Sequence, residues 1–278
     1  FFCSLLLTLL PEKGFVILKN MNKPKILIAI PSYNCAKQLP RVLDEIDNKL
    51  AGRVAEIAVI DNGSPDDTVQ AALDYKKTGR LKNLHVYQNV NNYNLGGTHK
   101  VAFLKAERDG LTHVLILHGD NQAKSDEGNL LIDFAEAHPD QQTVLGSRFS
   151  KGSTLIGYDA KRIYGNKVLN LIYSIVTLRS CKDLGSGLNL FALQDMDKRT
   201  YLEFADKLTF NFELLLDLIK RKVNFAYHPI TWREEDQVSN ARNWNIFRTA
   251  LVNLFQWRFG KIYNQTKTHA DYQCKEML

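Results

Sequence analysis

Cysteine is scarce in this chain: Cys3, Cys35, Cys181 and Cys274 are scattered, with no C-x-x-C pair. That spacing excludes a zinc cluster or disulfide framework and fits a reducing, cytosolic setting. A long apolar run is also missing. Phe1 to Leu10 is hydrophobic, but Pro11, Glu12 and Lys13 stop it, far short of the roughly 20 residues that span a bilayer. The stretch has neither the basic start nor the small-residue cleavage site of a signal peptide. Glycine-rich phosphate loops are absent as well. The turn Pro31-Ser32-Tyr33-Asn34-Cys35-Ala36 holds no glycine, which removes a dinucleotide-binding G-x-G-x-x-G, and the chain has no G-x-x-x-x-G-K-[ST], which removes a P-loop enzyme. A sugar nucleotidyltransferase would need a glycine-rich, basic loop at that same turn. No repeat or low-complexity tract occurs.

What is present is enough for one large α/β domain with a small appendage: 278 residues, 45% of them hydrophobic, suffice for a single core. The net charge of +6 favours anionic partners such as nucleotides, phosphates or an acidic membrane surface; nucleic acid is not expected. From Lys25 onward strands and helices alternate. Short continuous apolar runs at 25–30, 56–60, 84–87 and 112–117 read as strands buried on both faces. Helical spacing appears at 39–50, after Ser64 as N-cap with Pro65 as first helical residue and Asp67 in the third position, and at 97–106. A mostly parallel sheet flanked by helices follows. The second half reads as helix 130–137, strand 143–146, polar loop 150–154, helix 163–178, strand 188–193, helix 210–220 and strand 223–230. From Trp244 to Tyr263, Phe247, Ala250, Leu251 and Leu254 share a face with basic residues nearby. Such a helix either lies on a membrane surface or packs on the domain, and the sequence leaves both open.

Two strands end abruptly in acid and small residues. The first runs Glu56 to Asp61-Asn62-Gly63-Ser64, the second Thr112 to His118-Gly119-Asp120-Asn121-Gln122. Ligands of open α/β sheets bind at such carboxyl ends. Asp61 either accepts hydrogen bonds from a base or ribose or closes an Asx-type turn. Asp120 suits a hard cation bridging two phosphates, which wants oxygen ligands on a short turn, with Gln122 and His118 as helpers.

Taken in order, Pro31-Ser32-Tyr33-Asn34, Asp61-Asn62-Gly63-Ser64-x-Asp66-x-Thr68, Asn94-x-Gly96-Gly97, Asp120-x-Gln122 and Gly146-Ser147-Arg148-Phe149 resemble family 2 of the GT-A glycosyltransferases, in its dolichyl- or polyprenyl-phosphate mannosyl- and glucosyltransferase-like branch. The resemblance covers about residues 24–240. It implies a GT-A, Rossmann-like fold in a single catalytic domain, 23–240, preceded by an extension, 1–22, outside the fold and followed by a basic amphipathic tail, 241–278. It also implies that Pro31, Tyr33, Asn34, Asp61, Asn62, Gly63, Ser64, Gly96 and Arg162 hold the nucleotide sugar. Asp120 matches the last acid of the family's D-x-D metal motif, with His118 replacing the first acid and Gln122 two residues on, so Mg2+ or Mn2+ is the implied cofactor. Asp183-Leu-Gly-Ser186-Gly187-Leu188-Asn189 resembles the family's Asp-x-x-Ser-Gly-Phe-Arg, with Asn189 for the Arg. Pro229-Ile230-x-x-Arg233 and Ser239-Asn240 resemble its Pro-Ile-x-x-Arg and Ser-Lys, with Asn240 for the Lys. Arg242 or Lys222 is the candidate to compensate for the two missing cations.

The expected chemistry is displacement at an anomeric carbon with inversion, through an oxocarbenium-like transition state. A UDP- or GDP-sugar is the donor and a polyprenyl phosphate, glycolipid or growing saccharide the acceptor. Asp120 with its metal, and Arg148 or Arg233, would stabilise the leaving diphosphate. A hydroxyl acceptor needs a general base, for which Asp183 and Glu213 are the candidates; a phosphate acceptor needs none. Ordinary helix capping is the competing role for Glu213. The expected location is cytoplasmic, with peripheral contact at the cytosolic face of a membrane. The alternative, motivated by His118, Asn189 and Asn240, is a catalytically weak or inactive nucleotide-sugar-binding relic of the same fold.

Overall fold

Strand β1, Ile26–Ser32, is buried along its whole length, because alternate residues of a pleated strand feed two separate cores. Leu27 and Ala29 join Ala58, Ile60, Val114 and Ile116 on one face. Ile26, Ile28 and Ile30 join Ile57, Val59, Leu115 and Leu117 on the other. Continuous apolar runs are what a sheet covered on both sides requires. The computed structural model describes residues 23–234, 243–260 and 267–278.

The strands are β1, β2 (Glu56–Asp61), β3 (Leu84–Asn89), β4 (His113–Leu117), β5 (Val144–Ser147), β6 (Thr154–Ile156), β7 (Leu188–Ala192), β8 (Ala226–Pro229), β9 (Thr231–Arg233) and β10 (Cys274–Met277). Eight form one sheet in the order β10-β3-β2-β1-β4-β7-β5-β8, and β6 with β9 makes a second, two-stranded one. Within the large sheet β3, β2, β1 and β4 run parallel, as do β5 and β8. Only β7 and β10 are antiparallel to their neighbours.

The α-helices are α1 (Leu39–Asp44), α2 (Asn48–Arg53), α3 (Thr68–Lys77), α4 (Asn94–Arg108), α5 (Gly128–Ala137), α6 (Ala160–Thr177), α7 (Lys198–Tyr201), α8 (Phe210–Lys220) and α9 (Asn243–Arg258). Two differ from the sequence reading. The single helix expected over 39–50 is broken: Arg80 donates to the carbonyls of Leu43, Asp44 and Ile46 at 2.7–2.9 Å, and Asp47 caps a new start by accepting from Leu50 N at 2.6 Å. The helix after β2 begins at Thr68, not Pro65, because Ser64 turns back to Asp61 while Asp66 accepts from Thr68 N and Oγ1.

The stretch read as a tail contributes a helix and a strand to this body. Tyr173 of α6 donates to Ala250 O of α9 at 2.7 Å, and Trp257 donates to Leu216 O of α8 at 3.0 Å. Strand β10 pairs with β3 and is anchored by Lys100, a fully buried ammonium that donates to Phe204 O at 2.6 Å, Asp206 at 2.7 Å and Tyr272 OH at 3.0 Å. Among the described residues no helix is long and apolar enough to cross a membrane. Residues 1–22, with the expected extension and Cys3, and Ser239, Asn240 and Arg242 lie outside the described residues. Cys35, Cys181 and Cys274 are free.

Candidate active site

The carboxyl ends of β2, β1 and β4 lie side by side, so the two strand-end acids share one edge of the sheet. The loops that leave these ends are stitched together. Asn62 N donates to Ser32 O at 2.9 Å, and Gly119 N donates to Pro31 O at 3.0 Å. Asn34, held at φ 54°, donates its N–H to Ser64 Oγ at 2.9 Å, and Cys35 and Ala36 donate theirs to Thr68 and Asp66. Gly119 is small for a reason: a Cβ there would sit 2.5 Å from Ser32 Oγ, so only glycine lets the Asp120 loop lie on the end of β1.

Asp61 is fully buried and closes its own turn. Its carboxylate accepts from Gly63 N at 3.0 Å, Ser64 N at 3.1 Å, the Ser64 hydroxyl and Gln88 Nε2 at 3.0 Å, with Gly63 at φ 74°. The Asx turn that the sequence allowed is therefore formed. Asn62 Oδ1 accepts from Asn89 Nδ2 at 2.9 Å and Tyr93 N at 2.8 Å, tying β2 to the loop before α4. Tyr33 is half exposed at the same edge. Gly96 faces protein: a Cβ would lie 2.5 Å from Ala205 O and 2.6 Å from Phe210 Cβ, so its role in the structure is close packing of α4.

Asp120 is partly buried, accepts from Gln122 N at 3.2 Å and has no ion pair among the described residues. Burial raises its pKa, against the nearby His118 and the backbone N–H groups. His118 turns inward, its ring 5.6 Å from that of His99, and burial lowers its pKa, leaving a neutral ring whose Nε2 is buried with no partner. A carboxylate with one backbone hydrogen bond and no ion pair among the described residues fits a cation. Among the described residues no group of three or more His, Cys, Asp or Glu could hold one alone. Asp120 would therefore anchor the ion, with Gln122 or His118 as the second protein ligand and phosphate and water oxygens filling the rest, the common arrangement for Mg2+.

Each arginine expected near the diphosphate already has a carboxylate. Arg148 grips Asp183 through Nε at 2.8 Å and Nη2 at 2.7 Å, its own N–H adding a third bond at 2.9 Å. Burial opposes the guanidinium's charge, but Asp183 outweighs it and holds the pKa above its ordinary value. Arg233 forms a two-pronged pair with Glu45 at 2.7 and 2.9 Å and reaches Asn121 Oδ1 at 3.2 Å. Burial pushes Glu45 up, yet the bonds from Arg233 and Ser125 bring its pKa below the usual value. Arg162, on α6, donates to both oxygens of Glu234 at 2.5 Å, and Gln122 Nε2 lies 3.4 Å from the same carboxylate.

Glu213 is placed elsewhere. It is buried between α8 and α9, accepting from Ala205 N at 2.6 Å and Asn253 Nδ2 at 3.2 Å, and burial raises its pKa to about 7. Asn189 accepts from Gly146 N at 3.1 Å and donates to Ser186 O at 2.8 Å, fixing β7 to β5 where the resemblance has an arginine. Lys222 is exposed. Sequence reasoning missed Glu45 and Glu234. Glu45 lies outside every motif, whereas Glu234 follows Arg233 at a strand end and could have been found by that position.

Residues 27–195 match the model of "Glycosyl transferase family 2". Dolichyl-phosphate beta-glucosyltransferase of Drosophila melanogaster is 25% identical over 237 residues, covering 80% of this chain and 71% of that one. The Saccharomyces cerevisiae protein of the same name is 25% identical over 258 residues, covering 81% and 74%. Dolichol-phosphate mannosyltransferase of Pyrococcus furiosus is 25% identical over 197 residues, covering 70% and 52%. Among solved structures, glucosyl-3-phosphoglycerate synthase from Mycobacterium tuberculosis in complex with Mn2+, UDP-glucose and phosphoglyceric acid is similar in fold, with TM-score 0.65 at 15% identity over 87% of this chain and 82% of that one. That structure shares the fold, and the family model spans more than half of the chain: the chain belongs to glycosyl transferase family 2.

Proposed function

We propose that the chain is a metal-dependent, inverting glycosyltransferase that moves a sugar from a UDP- or GDP-sugar to a polyprenyl phosphate, glycolipid or growing polysaccharide, peripherally at the cytosolic face of a membrane. The observation that carries this reading is the charge balance of the strand-end edge. Arg148, Arg162 and Arg233 are neutralised by Asp183, Glu234 and Glu45, while Asp120 is left unpaired. An edge whose two strand-end acids, Asp61 and Asp120, have no cationic partner among the described residues does not attract a nucleoside diphosphate unaided; it attracts a divalent cation, which brings the diphosphate with it.

Asp120 would hold Mg2+ or Mn2+, and when bound the ion supplies charge neutralisation for the departing diphosphate. Asp61 and Asn62 shape the β2 end and Tyr33 offers an exposed ring for the base. Arg233 and Glu234 fix the loop that carries Asp120 from the opposite side, with Arg233 N donating to Gln122 O at 2.8 Å, so the carboxylate is held in place before substrate arrives.

The acceptor follows from the carboxylates. A hydroxyl nucleophile needs a base, yet Asp183 is locked to Arg148 and Glu213 lies between helices. A phosphate acceptor is already an anion and needs none, which favours the lipid-phosphate member of the acceptor set; two relatives named as dolichyl-phosphate glucosyltransferases support the same choice. The test is a panel of UDP- and GDP-sugars with Mn2+, scored for nucleoside diphosphate release with polyprenyl phosphate or with a saccharide alcohol as acceptor. Metal-dependent release stimulated by polyprenyl phosphate is expected, and lost in Asp120→Ala. Tight donor binding without turnover of any donor would support the inactive relic instead.

A further inference from the structure

The loop that joins β3 to α4 lies against the acid end of β2, and little of it is buried. Val90, Asn91, Asn92 and Asn94 are exposed, and Asn94 sits in the left-handed region at φ 57°. Tyr93 is the exception, at 1% exposed. A short exposed loop with one buried side chain keeps its shape only as well as that side chain is held.

Tyr93 is held from two directions. Its N–H donates to Asn62 Oδ1 at 2.8 Å, and Asn62 Nδ2 donates to Asn92 Oδ1 at 2.9 Å, so the loop backbone follows the end of β2. Its side chain meets residues from far along the chain. The ring stands edge-on to His269 and Tyr272, with centroids 4.7 and 5.3 Å away, and the hydroxyl accepts from Gln273 N at 3.3 Å. Val90 N donates to Gln273 O at 3.0 Å beside it. Gly97 makes the crossing possible: a Cβ there would lie 2.5 Å from Tyr93 Cβ and 3.2 Å from Tyr272 Cε1. The second glycine of Asn94-x-Gly96-Gly97 therefore serves this contact.

The segment that grips Tyr93 is itself pinned. Asp206, 1% exposed at the side chain, accepts from Thr268 N at 2.7 Å, Thr268 Oγ1 at 2.8 Å, Tyr272 OH at 2.6 Å and Lys100 Nζ at 2.7 Å. A buried ammonium and carboxylate add little net stability, because desolvation offsets their attraction; their best-attested use is to fix register. Here they fix residues 267–278 against α4 and, through Tyr93, against the loop.

We propose that residues 267–278 form a strap that sets the position of loop 90–94, and that Tyr93 is the positioning residue through which the strap governs nucleotide affinity. The hold on the loop stands on the contacts above; the effect on affinity rests on the proposed function, in which the end of β2 receives the nucleotide. A loop released from the strap samples more conformations, and ordering it again on binding costs affinity. The coupling is reciprocal, so a nucleotide that orders the loop must also tighten the strap.

The test is amide hydrogen exchange of the full chain, read by mass spectrometry, with calorimetry of UDP and GDP in the presence of Mn2+. Tyr93→Phe keeps the ring and removes the acceptor of the Gln273 bond; Thr268→Val loosens the strap at its other end. Circular dichroism should show both folded. Without nucleotide, exchange across 90–94 should quicken at least about threefold in each, the effect of losing one ordinary hydrogen bond. The Kd of the preferred nucleotide should rise by a similar factor, about threefold. In the wild type, nucleotide with Mn2+ should slow exchange across 267–278, and Tyr93→Phe should diminish that slowing. Unchanged exchange at 90–94 in both folded variants, or quickened exchange there with wild-type nucleotide affinity, would overturn the proposal. A wild type that binds neither nucleotide would refute the proposed function and Tyr93's part in affinity, while exchange at 90–94 without nucleotide would still decide the strap.

Discussion

Asp183→Asn separates two roles for one carboxylate. In the structure Asp183 is only 1% exposed at the side chain and pairs with an Arg148 side chain that is 10% exposed. Its oxygens receive three N–H groups from Arg148 and one from Gly185 at 3.2 Å. Replacing one partner of such a pair leaves a buried, uncompensated guanidinium and costs about 3–5 kcal/mol. At roughly 2–4 °C per kcal/mol for a large domain, the melting temperature should fall by about 10 °C in a circular dichroism melt. Removing the charge from both sides with Arg148→Met in the Asp183→Asn background should recover part of the loss, and the double-mutant cycle should give a coupling above about 1 kcal/mol. A general base behaves differently. If Asp183→Asn melts within about 1 °C of wild type while turnover collapses, the carboxylate serves the chemistry and the ion-pair reasoning fails.

Three further outcomes follow from the same geometry. Gly96→Ala pushes a methyl group into Ala205 O and Phe210 Cβ and should destabilise the fold by about 1–3 kcal/mol with donor affinity unchanged among folded molecules; a donor-affinity loss without a melting shift would return Gly96 to the nucleotide site. Glu213, with its pKa raised by burial from 4.5 to about 7, binds more protons folded than unfolded over that interval, so stability should decline as pH rises from 4.5 to 7 and then level off, by about 3 kcal/mol in all. Glu213→Gln should flatten that slope, and a denaturant titration series that keeps the slope would contradict the assignment. Glu234→Gln should weaken the hold on Arg162, freeing that cation for an anionic acceptor and so lowering the KM for a lipid phosphate, but leave the donor's KM within about twofold; a change confined to the donor would place Glu234 at the nucleotide instead.

The strands were legible because their residues are apolar on both faces, a pattern a central parallel strand enforces regardless of its neighbours. Strand β10 was not. Cys274-Lys275-Glu276-Met277 sits at the sheet edge and pairs with β3 through contacts 180 or more residues away, so nothing local marks it. The break between α1 and α2 was hidden for a related reason: Leu39, Val42, Leu43, Ile46 and Leu50 keep a helical rhythm straight through it, and the agent of the break, Arg80, comes from beyond β2. Within the site, Asp120 and Asp61 could be read from their strand ends. Their different fates could not, because Asp61's turn depends on Gln88 and Ser64, whereas Asp120 has a single backbone donor and no side-chain partner among the described residues. The arginines were legible as charges but not as pairs. Glu45 meets Arg233 across 188 positions and Glu234 meets Arg162 across 72, separations at which sequence spacing says nothing about contact.

In the proposed function Asp120 anchors a cation that carries the nucleotide. Calorimetry of UDP and GDP binding, with and without Mn2+, to the wild type and to Asp120→Ala measures this directly. Manganese should tighten the preferred nucleotide by at least about tenfold in the wild type, worth about 1.4 kcal/mol, and do nothing in the variant. Equal tightening in both proteins, or nucleotide binding that ignores the metal altogether, would contradict it.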